Sequence, residues 1–212
     1  MTETCKHNPL FTAAILAILT LLQGCATLGK DECKLADWRL IGYQDGVAGK
    51  SAAVVGEYRE DCAKHAVVPD LDAYRAGREE GLQQYCKADN GYRLGNAGRG
   101  FAAVCPTALE GDYRDAYNTG RKVYLARSTV NKTRSRINKH KQTLSNLEDN
   151  RAGKLAALVA DGINANQRVM IVYEINELQQ EMNSIEDEIV DLEHDLVKQQ
   201  ARLDHLASNS AY

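Results

Sequence analysis

From Ile171 to Leu206 apolar residues recur alternately four and three apart: Ile171, Ile175, Leu178, Met182, Ile185, Ile189, Leu192, Leu196, Leu203 and Leu206, with Gln199 as the one polar residue in the series. Five heptads of this kind define an α-helix with an apolar seam. A weaker series keeps the same rhythm earlier in the chain, through Val123, Ala126, Val130, Thr133, Ile137, His140, Leu144 and Leu147. Asp161-Gly162 and Asn164 lie between the two series and read as a turn, with Gly153 as a second break. The pattern predicts a coiled-coil hairpin over residues 122–207, turning near 161–166, and a short tail over 208–212.

Charge changes this picture by choosing the partner. Between Arg121 and Lys154 ten Lys and Arg stand against Glu148 and Asp149, a net of +8. Between Arg168 and Asp204 ten Asp and Glu stand against Arg168, Lys198 and Arg202, a net of −7. An antiparallel hairpin pairs these opposite fields, whereas acidic halves bundled in parallel would set like charges side by side. Folded at residues 162–164, the chain brings Arg134, Arg136, Lys139 and Lys141 opposite Glu186, Asp187, Glu188 and Asp191. Each exposed pair is worth less than about 1 kcal/mol, so charge sets the pairing more than its strength. Arms of about 40 residues reach about 60 Å at 1.5 Å per residue. The basic stretch alone would suit nucleic acid or lipid head groups, but the acidic arm neutralises it, and no nucleic-acid partner is expected.

Residues 32–121 have a different texture, holding most of the glycine and tyrosine and the single Trp. Four Tyr-x-x-Gly units recur, at Tyr43–Gly46, Tyr74–Gly77, Tyr92–Gly95 and Tyr117–Gly120, and three continue to a further glycine, Gly49, Gly81 and Gly98. On a helix, residues three apart share a face. Glycine inside a helix costs about 1 kcal/mol against alanine, so its repetition points to close packing between elements. Tyr43, Tyr74, Tyr92 and Tyr117, with Arg78 and with Arg75, Arg93 and Arg99, are then either a packing surface, the favoured reading, or a face that makes residues 32–121 a module binding, or cleaving, a glycan or peptidoglycan. Asp70 after Pro69 predicts a helix from about Leu71 to Cys86, and Asn90-Gly91 reads as a turn. Thr107-Ala-Leu-Glu110 matches a capping box and opens a helix at about Ala108. No stop signal follows until well past Tyr124, so that helix is expected to run on into the first hairpin arm.

The N-terminus reads as an export signal. Lys6 precedes an apolar run from Leu10 to Leu22, which is too short for a bilayer span of about 20 residues. Leu22-Gln23-Gly24-Cys25 resembles the lipobox of bacterial lipoproteins, with Gln23 a departure from its commoner residues. That resemblance implies cleavage after residue 24, acylation of Cys25 and a tether over 25–31. By the same resemblance Ala26 after the cysteine implies the outer membrane, with the protein facing the periplasm and exposure at the cell surface left open. Several acyl chains, at about 0.8 kcal/mol per buried methylene, anchor far better than one.

Export also governs the remaining cysteines. Of the six, Cys5 leaves with the signal and Cys25 is acylated, leaving Cys33, Cys62, Cys86 and Cys105. An even number in an oxidising compartment reads as two disulfides with three pairings open, of which the sequential one, Cys33–Cys62 and Cys86–Cys105, is expected. A structural zinc site usually shows Cys-x(2–4)-Cys pairs; the gaps here are 29, 24 and 19 residues.

Catalytic signatures are not found. Gly49-Lys50-Ser51 imitates the end of a phosphate-binding loop, but the required first glycine would be residue 44, which is Gln44. No Gly-x-Ser-x-Gly, His-Glu-x-x-His or Cys-x-x-Cys occurs. His65, His140, His194 and His205 are scattered. Neither Glu79 and Glu80 nor Asp70 and Asp72 is singled out as an acid/base pair, and the acidic arm lacks the glycine and ligand spacing of an EF-hand. No enzyme activity, metal or cofactor is expected.

One set of residues carries a family likeness: Cys33, Asp37-Trp38, Gly42-Tyr43-Gln44-Asp45-Gly46, Cys62, Pro69-Asp70, Tyr74-Arg-Ala-Gly77-Arg78, Gly81-Leu82, Tyr85-Cys86, Asn90-Gly91-Tyr92, Gly95, Gly98, Cys105-Pro106, Tyr117, Gly120-Arg121 and Tyr124. It resembles, over roughly residues 30–150, the bacterial lipoprotein family catalogued as domain of unknown function 2799. The resemblance implies export, lipidation and disulfides, and it brings no activity, ligand or catalytic residue. The expectation is an all-α lipoprotein in which a small disulfide-stapled helical domain precedes an antiparallel coiled-coil hairpin. Its partners are the membrane, through the lipid, an envelope protein, through the hairpin, and a further copy of itself.

Overall fold

A computed structural model describes residues 28–210. The signal peptide expected over 1–24, the acylated Cys25 and the first residues of the tether, 25–27, lie outside the described residues. Seven α-helices and no strand are found among those described: α1 Lys30–Leu35, α2 Trp38–Val47, α3 Val54–Ala63, α4 Leu71–Tyr85, α5 Ala88–Asn96, α6 Thr107–Leu158 and α7 Ala165–Ser208. The chain divides into two compact units, one ending at Gln84 and one running from Tyr85 to Tyr212. Residues 32–121 are split between the units, and residue 122 falls inside α6.

In the first unit α2 and α4 cross at four glycines. A Cβ on Gly42 would stand 2.0 Å from the Tyr74 carbonyl oxygen, and one on Gly77 1.9 Å from that of Arg39. Gly46 and Gly81 meet the Arg78 and Tyr43 carbonyls at 2.3 and 2.2 Å in the same way. The two backbones touch, as small residues four apart on each helix allow. Beside the crossing, Trp38 and Tyr74 pack with the Cys33–Cys62 disulfide, which ties α1 to α3. Asp37 caps α2 by accepting from the Leu40 N–H (3.0 Å), and Asp70 caps α4 by accepting from those of Asp72 and Ala73 (3.1 and 2.9 Å).

The second unit repeats this crossing with α5 and the first turns of α6. Gly91 and Gly95 press on the carbonyls of Tyr113 and Tyr117 at 2.4 and 2.1 Å, and Gly120 presses on that of Tyr92 at 2.2 Å. Gly42-Tyr-x-x-Gly46-x-x-Gly49 corresponds to Gly91-Tyr-x-x-Gly95-x-x-Gly98, and Tyr74-x-x-Gly77-Arg78-x-x-Gly81 to Tyr113-x-x-Ala116-Tyr117-x-x-Gly120. The repeat is thus a duplicated helix pair rather than four equal Tyr-x-x-Gly units. Tyr117 stands where the first pair has Arg78, and Ala116 where it has Gly77. Asn90-Gly91 is consequently no turn; it lies inside α5, and its glycine serves the crossing.

Both first helices end alike. Gly49 and Gly98 have φ of +67° and +72°. After each, the next N–H bonds back across the turn, Lys50 to the Asp45 carbonyl (2.9 Å) and Arg99 to that of Leu94 (3.0 Å). This is the glycine-terminated Schellman ending. The apparent phosphate-loop tail Gly49-Lys50-Ser51 is a helix stop.

Helix α6 begins at Thr107, directly after Pro106, without a side-chain cap; Glu110 pairs with Arg114 instead of closing a capping box. It then runs unbroken for 52 residues, past Gly153, to Leu158. Nothing lies within 4 Å of a Cβ built at Gly153. Gly153→Ala is therefore expected to stabilise the chain by about 0.5–1 kcal/mol, through propensity and a stiffer unfolded state, which urea denaturation would measure. Asn164 caps α7 by accepting from the Gln167 N–H (2.9 Å), and the Gln167 side chain answers the Asn164 N–H.

The hairpin seam is built on Ile137, Ile185, Ile189 and Leu192, with Leu144, Leu147 and Leu196 against them. The polar breaks of the two arms meet each other, Thr133 Oγ1 donating to Gln199 Oε1 at 2.8 Å. Cross-arm partners are Lys154–Glu174 (2.6 Å), His140–Glu188 (3.5 Å), Lys141–Glu193 (2.8 Å) and Arg134–Gln200 (2.9 Å). The antiparallel pairing is as expected, but the register is not. Each basic residue meets a partner further along α7 than a fold at 162–164 would supply. Seam packing and the Thr133–Gln199 bond set the register, because exposed ion pairs are too weak to do so.

Candidate functional site

The tyrosines singled out in the sequence have separate fates. Tyr74 is almost fully buried, and its hydroxyl donates to Asp45 Oδ2 at 3.0 Å. Tyr58, from α3, donates to the same oxygen at 3.0 Å. The other oxygen, Oδ1, takes the Lys50 ammonium at 2.7 Å. Asp45 is itself 3% exposed, so its charge is held inside by two hydroxyls and one ammonium, the condition under which a buried carboxylate is tolerated. The group answers back on its partners. Burial first, and then the bond to Asp45, pushes the Tyr58 and Tyr74 hydroxyls above their ordinary range, and the same carboxylate raises Lys50. Sequence reasoning passed over Asp45. An acidic residue between Gly42 and Gly46, on the face where the second pair has Leu94, is the signal that could have found it.

Tyr117 is buried, rings it shares with Phe101 standing 5.1 Å apart, and its hydroxyl donates to the Arg99 carbonyl at 2.7 Å. Arg78, at the corresponding place in the first unit, donates from Nη2 to the Lys50 carbonyl at 2.8 Å. The two side chains differ yet close the same helix end. Tyr43 and Tyr92 are half-buried, and the Tyr92 hydroxyl is 2.9 Å from Ser210 Oγ. Arg75 is paired with Asp72 and Arg93 bonds to Asn90. In each unit these groups serve helix crossings and helix ends.

Cys33–Cys62 and Cys86–Cys105 are both disulfides, the sequential pairing. Among the described residues no cluster of His, Cys, Asp or Glu could hold a metal ion, and no helix is long and apolar enough to cross a membrane.

The hairpin end has a different character. Val159 is 78%, Val169 67%, Met170 59% and Tyr173 58% exposed, and Leu155 and Val172 are open as well. Ile163, Met170 and Ile171 line a shallow hollow there between Lys154 and Glu174. Within the two long helices, exposed large apolar side chains away from this end are confined to Leu125, Val190 and Val197. Exposed apolar side chains grouped in this way are what protein contact surfaces carry.

Fold and site together define a small all-helical protein with a duplicated glycine-packed helix pair, two disulfides and a projecting hairpin. Residues 37–122 match the family described as protein of unknown function (DUF2799), and so carry the domain that the sequence resembles. No curated protein and no solved structure matches the chain.

Proposed function

We propose that the protein is a non-enzymatic interaction protein of the bacterial cell envelope, held at the outer membrane by an acylated Cys25 and presenting the hairpin tip to a protein partner. The observation that carries this reading is the concentration of exposed apolar side chains at one end of a charged, polar-faced hairpin. Burying such side chains is worth about 25 cal/mol per Å² of apolar surface, and they lie where the arms reach furthest. The rigid continuous helix and the charge-paired arms suit display. The lipobox-like sequence supplies the anchor.

The test is in-cell crosslinking from a photoreactive residue placed at Ile163, Asn166 or Met170, one at a time. A discrete band containing a foreign envelope protein is expected, and Met170→Glu should remove the band obtained from Ile163. The absence of any foreign band from all three positions would refute the reading. Cys25→Ser is expected to move the chain out of the membrane fraction; unchanged sedimentation with membranes would refute the anchor.

A further inference from the structure

We propose that two copies of this chain pack hairpin against hairpin through the face that carries Val190 and Val197. Both valines are open to solvent, at 64% and 69% exposure. They are seven residues apart on the outer side of α7 and take no part in the seam. Valine is a mediocre helix former, so it brings an exposed helix position nothing of its own. The same heptad position holds Val169 nearer the tip, with Asn176 and Asn183 between.

The cross-arm bonds fix which side of the hairpin this is. Val190 is three residues before Glu193, which pairs with Lys141, and Val197 is three before Gln200, which pairs with Arg134. Residues three apart on a helix are neighbours on its surface. The same step on α6 leads from Arg134 and Lys141 to Asn131 and Asn138, both exposed. One side of the hairpin thus offers an acidic arm with two open valines beside a basic arm lined by asparagines.

That side complements itself. Turning a second hairpin half a revolution about an axis parallel to the arms lays its acidic α7 on the basic α6 of the first, and the reverse. The four helices then alternate in direction, and each valine pair covers the Asn131–Asn138 stretch of the other copy. This is a closed two-fold contact, with one surface used twice. Placing the copies without the turn sets acidic arm against acidic arm. The two-fold arrangement also keeps both N-termini at the same end, as two chains anchored in one membrane need; that last point rests on the proposed anchor, whereas the contact itself does not depend on the tip.

Photoreactive residues placed in the full chain in cells, at 190, 197 or 191 in turn, test the contact. Positions 190 and 197 should give a band at twice the mass of the chain, and 191, around the helix from them, should not. Val197→Lys should reduce the band from position 190 at least ten-fold, because it sets a cation against Arg134 of the other copy. Asp191→Lys is the control: it changes the charge more but leaves that face untouched, and the band should persist. Lysine is the better helix former, so at a dilution where both chains are monomeric Val197→Lys should melt at no lower temperature than the unaltered chain. The proposal is overturned by no self-crosslink from 190 and 197, by a band of equal strength from 191, by a band that survives Val197→Lys, or by capture of a foreign protein alone at these positions. A foreign band at the tip together with no self-crosslink on the shaft would sink this contact and leave the display reading standing.

Discussion

Gly77→Ala is expected to destabilise the first unit by about 3 kcal/mol or more. The added methyl would sit 1.9 Å from the Arg39 carbonyl oxygen, and backbone cannot rotate aside as a side chain can. Overpacking usually costs about 1–3 kcal/mol, and here relief requires two helices to move apart at all four glycine contacts. The gain of about 1 kcal/mol in helix propensity does not offset it. The loss is a large part of the stability of a small domain. Trp38 is the only tryptophan and is buried in this unit, so its fluorescence in a denaturant titration reports the loss directly. Gly56→Ala is the comparison, since nothing stands within 4 Å of its added methyl. Equal stability of the two variants would refute the backbone contact as the reason for the glycine.

Asp45→Ala is the second large effect, at about 2–4 kcal/mol. It leaves the Tyr58 and Tyr74 hydroxyls without their acceptor in the interior, while Lys50, half open, regains water. Asp45→Asn keeps an acceptor and loses only the ion pair, so its cost should be smaller. The pH dependence has a definite sign. Tyr58 and Tyr74 hold their protons above the ordinary tyrosine pKa of 10.0, and Lys50 above 10.5. Above those values the unfolded chain binds fewer protons than the folded one, so this stabilisation is complete below about pH 10 and is lost as pH rises further. Melting followed by Trp38 fluorescence between about pH 8 and pH 12 should show the decline, and Asp45→Ala should make it shallower, leaving the part that burial of the two hydroxyls supplies. A profile unchanged by the substitution would refute the coupling.

The hairpin was the most legible part of the sequence because its signal repeats: each heptad of α7 says the same thing, and Asp161-Gly162 with Asn164 marks the stop. The register was not legible. It is set by how the seam packs, with Thr133 meeting Gln199 across it, and polar residues in an apolar series read as flaws until they are seen to face each other. The glycines announce close packing, but not which of the units correspond. Tyr117-x-x-Gly120 reads as a fourth unit, whereas the units that correspond are Tyr43 with Tyr92 and Tyr74 with Tyr113, Ala116 standing in for Gly77 and Tyr117 for Arg78. Asn90-Gly91 reads as a turn for a related reason. Local turn preference is strong for that pair, and only the neighbouring helix shows that the glycine is there for contact. The exposed tip is absent from a seam pattern by construction, since periodicity finds residues that face inward.

Because α6 starts beneath Pro106, passes the crossing at Gly120 and continues to Leu158 without a break, the hairpin has no joint at its root. A load applied at the tip travels down about 57 Å of one hydrogen-bonded backbone, at 1.5 Å per residue from Leu158 back to Gly120. It arrives as torque on the glycine crossing, where Tyr92 and Gly120 are in backbone contact and Ser210 ties the returning arm to the Tyr92 hydroxyl. The arm is a lever with its fulcrum inside the family domain, and a pull on one end is felt as strain at the other.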